Sequence, residues 1–223
     1  KARYYIEVSS IIVYFLQFTK ITPNQISIIY ALLGVLAGIM LSLDSKVLIY
    51  FGLILFVLKG VVDWSDGLLA RVTSQTSNIG HIIDTWGSHV GYYSLIFGIG
   101  MICYHSQGHS IYIFLISTIF FISLIDFKLF AYHQLFYEIL NGKKLLKENS
   151  SQQDQKDKYN EKIFLRKLKL FFSYFLDERS RTLDFICLVV FIEIFNNSIY
   201  FTKIILILFL IKKLVSFLGN FLE

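Results

Sequence analysis

Residues 47–72 read Val-Leu-Ile-Tyr-Phe-Gly-Leu-Ile-Leu-Phe-Val-Leu-Lys-Gly-Val-Val-Asp-Trp-Ser-Asp-Gly-Leu-Leu-Ala-Arg-Val. As a helix at about 1.5 Å per residue, this run is roughly 39 Å long, more than the roughly 30 Å of hydrocarbon in a bilayer. Its first twelve residues are uncharged, and Lys59, Asp63, Asp66 and Arg71 all follow them. The stretch predicts a membrane-crossing helix with acidic groups set into one end.

The rest of the chain agrees. Of 223 residues, 55% are apolar or aromatic, 17% are charged, and Pro23 is the one proline. That composition excludes a disordered tail, a collagen-like fibre and a disulfide-stapled secreted scaffold. Cys103 and Cys187 lie in apolar runs and predict no disulfide framework. Further apolar runs predict helices over 23–43, 79–104, 111–140, 182–195 and 199–219, separated by polar turns at 44–46, 73–78 and 105–109. Thr22 is a suitable N-cap and Pro23 suits a first helical position. Upstream, Tyr4, Tyr5, Val8, Ile11, Ile12, Phe15 and Phe18 recur at helical spacing among Arg3, Glu7, Ser9 and Ser10. Residues 1–20 are therefore expected to form an amphipathic helix lying in the membrane interface.

The fold expected is all-α: a single domain over 1–223, built as a bundle of six transmembrane helices with an interfacial helix at the N-terminus. Eleven of the 21 Lys and Arg residues lie between positions 141 and 182. The net charge of +5 is thus concentrated in one loop, 141–181, which reads as cytoplasmic and as facing anionic headgroups rather than nucleic acid. Within it, residues 162–176 set Phe164, Leu168, Phe171 and Phe175 against Lys162, Arg166 and Lys169, a second interfacial helix. The turns near Asp44, His105 and Asn196 are poor in basic residues. Both termini and the acidic segment are accordingly expected in the cytosol, in a bacterial inner membrane or an endomembrane.

A carboxylate inside a span costs roughly 2.5–3.5 kcal/mol on insertion scales, so three of them need a reason. Asp63 and Asp66 are i,i+3 and share a helix face. Asp84 lies about six residues beyond the 73–78 turn on the next helix, at a depth matching that of Asp66. Three oxygen donors meeting at one depth suit a hard divalent ion such as Mg²⁺, Mn²⁺ or Ca²⁺. Gly67, Ala70 and Gly80 clear room beside them, and Arg71 stands nearer the cytosol, where a phosphate would enter. Metal with arginine suits phosphoryl transfer. The alternative is a structural charge network, with Lys59 pairing Asp63 at i,i+4 and Arg71 pairing Asp66 or Asp84.

With these residues in hand, the chain resembles the CDP-alcohol phosphatidyltransferase family. The family pattern D-x2-D-G-x2-A-R-x8-G-x3-D-x3-D is matched at Asp63, Asp66, Gly67, Ala70, Arg71, Gly80 and Asp84 with every spacing kept. Thr22-Pro23-Asn24 is similar to the family's opening, and the six-span layout to its fold. The resemblance implies metal-dependent transfer of a phospho-alcohol group in the synthesis of phospholipids or related lipids. A CDP-linked donor, such as CDP-diacylglycerol or a CDP-amino alcohol, binds with its pyrophosphate on one or two Mg²⁺ or Mn²⁺ ions. An acceptor alcohol attacks the β-phosphorus and CMP leaves. Asp63, Asp66 and Asp84 then hold metal, and Asp63, Gly67, Ala70, Arg71 and Gly80 line the donor side.

One position departs from the pattern. The family's final aspartate, its proposed base, falls on Ser88, which cannot accept a proton near neutral pH unaided. The neighbouring His89 is the candidate replacement, since imidazole titrates near physiological pH. Lys128, His133, Arg179 and Arg181 are weaker candidates for binding an anionic acceptor, with headgroup anchoring as their ordinary role. Two other functions are compatible with these residues: a catalytically impaired scaffold of the same fold, and a divalent-cation transporter. The lipid bilayer is the expected surrounding partner, and a homodimer is left open.

Overall fold

The structure, a computed structural model, describes residues 3–75, 78–125 and 180–221. Among them all regular structure is helical and no strand occurs. The helices are α1 (Arg3–Leu16), α2 (Pro23–Ser42), α3 (Lys46–Val72), α4 (Asn78–Gln107), α5 (Ile111–Ile125), α6 (Ser180–Phe195) and α7 (Tyr200–Phe221). Each predicted helix is found within a few residues of its expected bounds where it is described. The continuation of the fourth long helix to 140, the basic loop up to position 179 and its 162–176 helix lie outside the described residues. α2 and α3 are long and apolar enough to cross a membrane.

The chain divides into two compact units, Lys1–Ile116 with Glu178–Leu206 and Ser117–Asp177 with Ile207–Glu223. In the second, the described residues belong to the ends of α5 and α7, where the Ser123 hydroxyl returns to the Ile119 carbonyl at 2.6 Å. The first unit contains the acidic segment.

Local chemistry sets its helix ends. Pro23 opens α2, and the Gln25 side chain accepts from the Thr22 N–H at 2.9 Å, so one otherwise orphaned backbone donor is satisfied. At the start of α7 a buried carboxylate does the same work. Glu193, at the end of α6, accepts from the backbone N–H groups of Phe201 at 2.7 Å and Thr202 at 2.6 Å, and from the Thr202 hydroxyl. Negative charge at a helix N-terminus is favourable twice over, through the hydrogen bonds and through the helix dipole.

In this unit α2 packs against both α3 and α4, α1 lies on α3, and α6 packs on α3. The α2–α4 seam is made of small residues. A methyl group added at Gly34 would come within 2.9 Å of the Gly91 Cα, and one at Gly38 within 2.7 Å of Ser94. Toward α3, a methyl at Gly52 would meet the Ala37 carbonyl at 2.9 Å. Where small residues allow backbones this close, dispersion across the contact holds helices together without a hydrophobic driving force. Tyr30, Ala37, Leu41, Leu95 and Ile99 fill the seam and are fully buried.

α1 is fixed to the back of the acidic stretch of α3. The Ser9 hydroxyl donates to the Val61 carbonyl at 2.8 Å, and Tyr5 lies against Gly60 and stacks on Trp64. The Tyr5 hydroxyl also donates to the Asp184 carboxylate on α6. Burial first, and then the Asp184 carboxylate, push the Tyr5 phenol above its ordinary value. On the outer side of α1, Tyr4, Ile11, Tyr14 and Phe15 are exposed.

Candidate active site

The acidic groups are brought together by three helices, α2 as well as the two that carry them. Asp63 and Asp66 stand on α3 and Asp84 on α4, and each of the three lies in the electrostatic field of another. Asp66 is buried, while Asp63 and Asp84 are half-buried. Each carboxylate has a hydroxyl partner. Ser27 on α2 donates to Asp66 Oδ2 at 2.5 Å, Tyr30 on α2 donates to Asp84 Oδ1 at 2.7 Å, and Ser88 on α4 stands 3.4 Å from Asp63 Oδ1. A carboxylate inside an apolar bundle needs such donors, because an unsatisfied buried charge is costly.

Among the described residues no three His, Cys, Asp or Glu side chains converge closely enough to hold one ion as they stand. The donor chemistry nevertheless fits a hard divalent ion: all donors are oxygen, three are carboxylates within one another's field, and serine hydroxyls border them. There is also space on the flank. A methyl placed on Gly67, directly after Asp66, would meet no atom within 4 Å, in contrast to the crowded glycines of the seam. Ala70 is half-buried one turn further on, and Arg71 is exposed at the end of α3. Gly80 lies in the first turn of α4.

Of the remaining sequence candidates, His89 is half-buried on α4 with its ring edge-on to Tyr93, centroids 6.4 Å apart. It is Ser88, in the position of the family base, that faces Asp63. Arg181 belongs to α6, and Lys128, His133 and Arg179 lie outside the described residues. Lys59, which the alternative network pairs with Asp63, interacts electrostatically with that carboxylate. It is buried, its side chain passes beside Gly34 and Gly91, and its ammonium lies over the Tyr30 ring, 5.2 Å from the centroid.

Sequence reasoning missed Ser27 and Tyr30. The signal was present: Pro23, Ser27, Tyr30, Gly34 and Gly38 recur at three- and four-residue spacing, a polar and small stripe on an otherwise apolar helix. A cavity of about 310 Å³ exists elsewhere in this unit, lined by Leu43, Lys46, His105, Asn197 and Ser198 among others. It opens at the turns after α2, α4 and α6, the opposite ends of these helices from the acids, and has no part in this site.

Comparison with known proteins bears on the same segment. Over 81 residues the chain is 37% identical to an archaetidylinositol phosphate synthase of Pyrococcus horikoshii. That alignment covers 36% of this chain and 42% of the relative, so the chain spans less than half the length of the curated relative it matches. The model of CDP-alcohol phosphatidyltransferases matches residues 20–144, more than half of the chain, and the matched region contains α2, α3 and α4 with every acidic, glycine and arginine position of the site. The motif and its spacing thus have one explanation: the chain belongs to the CDP-alcohol phosphatidyltransferase family.

Proposed function

We propose that the protein is an integral membrane enzyme that transfers a phospho-alcohol group from a CDP-linked donor to the hydroxyl of an acceptor, releasing CMP. The observation that carries this is the placing of Asp63, Asp66 and Asp84 in one another's field beside the open flank at Gly67. Asp63, Asp66 and Asp84 are the residues that would hold Mg²⁺ or Mn²⁺. Such an ion supplies neutralisation of diphosphate charge and so favours departure of CMP.

The chain's own groups do the rest. Gly67 and Ala70 admit the donor's diphosphate close to the backbone of α3, and the exposed Arg71 meets its charge from the cytosolic side. Ser27 and Tyr30 hold the Asp66 and Asp84 carboxylates in fixed orientations, so little reorganisation is needed when the donor arrives. The acceptor oxygen forms a bond to the β-phosphorus as the bond from that phosphorus to the CMP oxygen breaks, and CMP takes the electron pair. In this reading His89 takes the acceptor's proton. Lys128, His133, Arg179 and Arg181 are the basic residues proposed to meet an anionic acceptor.

A second reading, a catalytically impaired member, is favoured by Ser88, whose hydroxyl meets Asp63 where the family places a carboxylate. A cation transporter is disfavoured, because α4 continues beyond the site as fully buried Leu95, Ile96 and Ile99, which offer an ion no ligands.

The membrane setting follows the same reasoning. Six spans with both termini in the cytosol, the α1 helix in the interface with its aromatic outer side in lipid, and the basic loop against headgroups satisfy the distribution of Lys and Arg. A homodimer is compatible with this arrangement.

The test is a screen of acceptor alcohols against labelled CDP-diacylglycerol, with product scored by mass and CMP release measured with and without Mg²⁺ or Mn²⁺. Metal-dependent CMP release that is lost in each of Asp63→Ala, Asp66→Ala and Asp84→Ala is the expected result. Metal-independent release, or release that survives all three substitutions, would overturn the site assignment.

A further inference from the structure

Tyr5 touches two other helices at once, and one of them carries the acid motif. It is 5% exposed. A methyl group on Gly60 of α3 would fall 3.1 Å from its Cε1 and 3.2 Å from its hydroxyl oxygen, so the ring lies close on the α3 backbone. The ring also runs nearly parallel to that of Trp64, at 15° with centroids 6.5 Å apart. Trp64 stands between Asp63 and Ser65, inside the motif. Further along α1, fully buried Ser9 donates to the Val61 carbonyl at 2.8 Å, and Val13 packs with Ile26 and Leu69. The place of Tyr5 on α3 is thus fixed at several points.

The hydroxyl of Tyr5 is turned to the second helix, where it donates to the Asp184 carboxyl group of α6. α6 itself packs on α3. Asp184 is half-buried and follows Arg181 by three residues, about 4.5 Å of helix. One side chain of α1 therefore joins the motif-bearing stretch of α3 to the first turns of α6. In the reading given above, that stretch carries the donor side of the site, and the start of α6 supplies Arg181 toward an anionic acceptor. Transfer needs the acceptor oxygen roughly 3–3.5 Å from phosphorus and in line with the leaving group, and a misplacement of about 1 Å can cost about 10²-fold in rate.

We propose that Tyr5 is a positioning residue for the acceptor: through its bond to Asp184 it holds the first turns of α6 in register with the donor-binding stretch of α3. The proposal rests on the transfer reading given above, with a phosphate-bearing acceptor. The bond needs an acceptor oxygen at position 184, which a carboxyl group offers in either protonation state, so the role does not depend on charge. Tyr5→Phe keeps the ring on Gly60 and Trp64 and removes only the tie to α6. Asp184→Leu removes the same tie from the other side, and Asp184→Asn retains an acceptor oxygen. Loss of the tie leaves the donor side in place and loosens the acceptor side alone.

The experiment is steady-state transfer by the full chain in detergent, with CDP-diacylglycerol as donor and glycerol phosphate or inositol phosphate as acceptor, reading KM for each substrate separately. Tyr5→Phe and Asp184→Leu are each expected to raise the acceptor KM about fivefold or more, with the donor KM within about twofold of wild type. The double variant should be no worse than the weaker single one, since both remove one bond. Asp184→Asn should stay within about twofold of wild type. Asp184→Leu keeps the test open if Tyr5→Phe fails to fold. An unchanged acceptor KM, or donor and acceptor KM rising together, overturns the role of Tyr5 and leaves the transfer reading standing. Asp184→Asn behaving as Asp184→Leu overturns the hydrogen bond as the cause. A wild-type chain that turns over neither acceptor overturns the anionic-acceptor reading and the proposal with it.

Discussion

The Tyr30 hydroxyl of α2 donates to the Asp84 carboxylate of α4 at 2.7 Å, and the same hydroxyl reaches the Asp84 backbone carbonyl. One phenol thus fixes both the side chain and the backbone of an acid on a neighbouring helix. Tyr30→Phe retains the ring and removes these bonds. It is expected to destabilise the protein by about 1–3 kcal/mol, the cost of leaving a part-buried acceptor unsatisfied. Thermal unfolding in detergent checks the stability, and CMP release is expected to fall at the same time because Asp84 loses its orientation.

Glycines on either side of the site are expected to respond in opposite ways. Gly34→Ala places a methyl 2.9 Å from the Gly91 Cα, and overpacking of this kind costs about 1–3 kcal/mol. Gly67→Ala meets nothing within 4 Å and exchanges a poor helix former for a good one, with a gain of up to about 1 kcal/mol. Gly67→Ala should therefore melt no lower than wild type while binding a CDP-linked donor more weakly, measured by calorimetry. A weakened donor affinity together with a lowered melting point would mean that Gly67 is structural.

Glu193 makes a prediction away from the acids. Replacement by Ala leaves the Phe201 and Thr202 N–H groups without their carboxylate, an expected loss of about 1–3 kcal/mol. Hydrogen exchange should locate the loss at the first turn of α7, while the metal dependence of CMP release stays unchanged. Uniformly faster exchange through α2, α3 and α4 would contradict this local assignment.

Ser88 and His89 separate the two readings of the chemistry. If His89 is the base, His89→Ala should lower turnover by roughly 10²–10⁴ with donor affinity retained. Ser88→Asp should then add little, since it places another negative charge beside Asp63. If the chain is an impaired member, Ser88→Asp should raise CMP release and His89→Ala should be silent. Measured turnover of the two variants decides between them.

The sequence was most legible where one physical rule governed. Apolar runs of helical length and the Thr22-Pro23 signal led to α2, α3 and α4 within a few residues of their ends, since burial and capping act locally. The acids were legible from the cost of placing charge in a span. Their partners were not, because Ser27 and Tyr30 stand about forty and fifty residues from the carboxylates they meet, and only the α2 packing face brings them there. The course of Lys59 illustrates the same point: its spacing to Asp63 was legible, but its place beside Gly34 and Gly91 on two other helices was not.

The seam between α2 and α4 also constrains how the protein can move. With Gly34 against the Gly91 backbone and Gly38 against Ser94, the two backbones touch at two levels, and Tyr30 and Leu41 of α2 pack against Gly87 and Gly98 of α4, so neither helix can slide over the other without a clash. Tyr30 bolts the same pair at Asp84. α2 and α4 therefore behave as a stator, and any breathing that admits a substrate has to come from elements outside that pair. Small residues at a catalytic centre are commonly valued for the room they leave. Here those of the seam matter for the slack they remove.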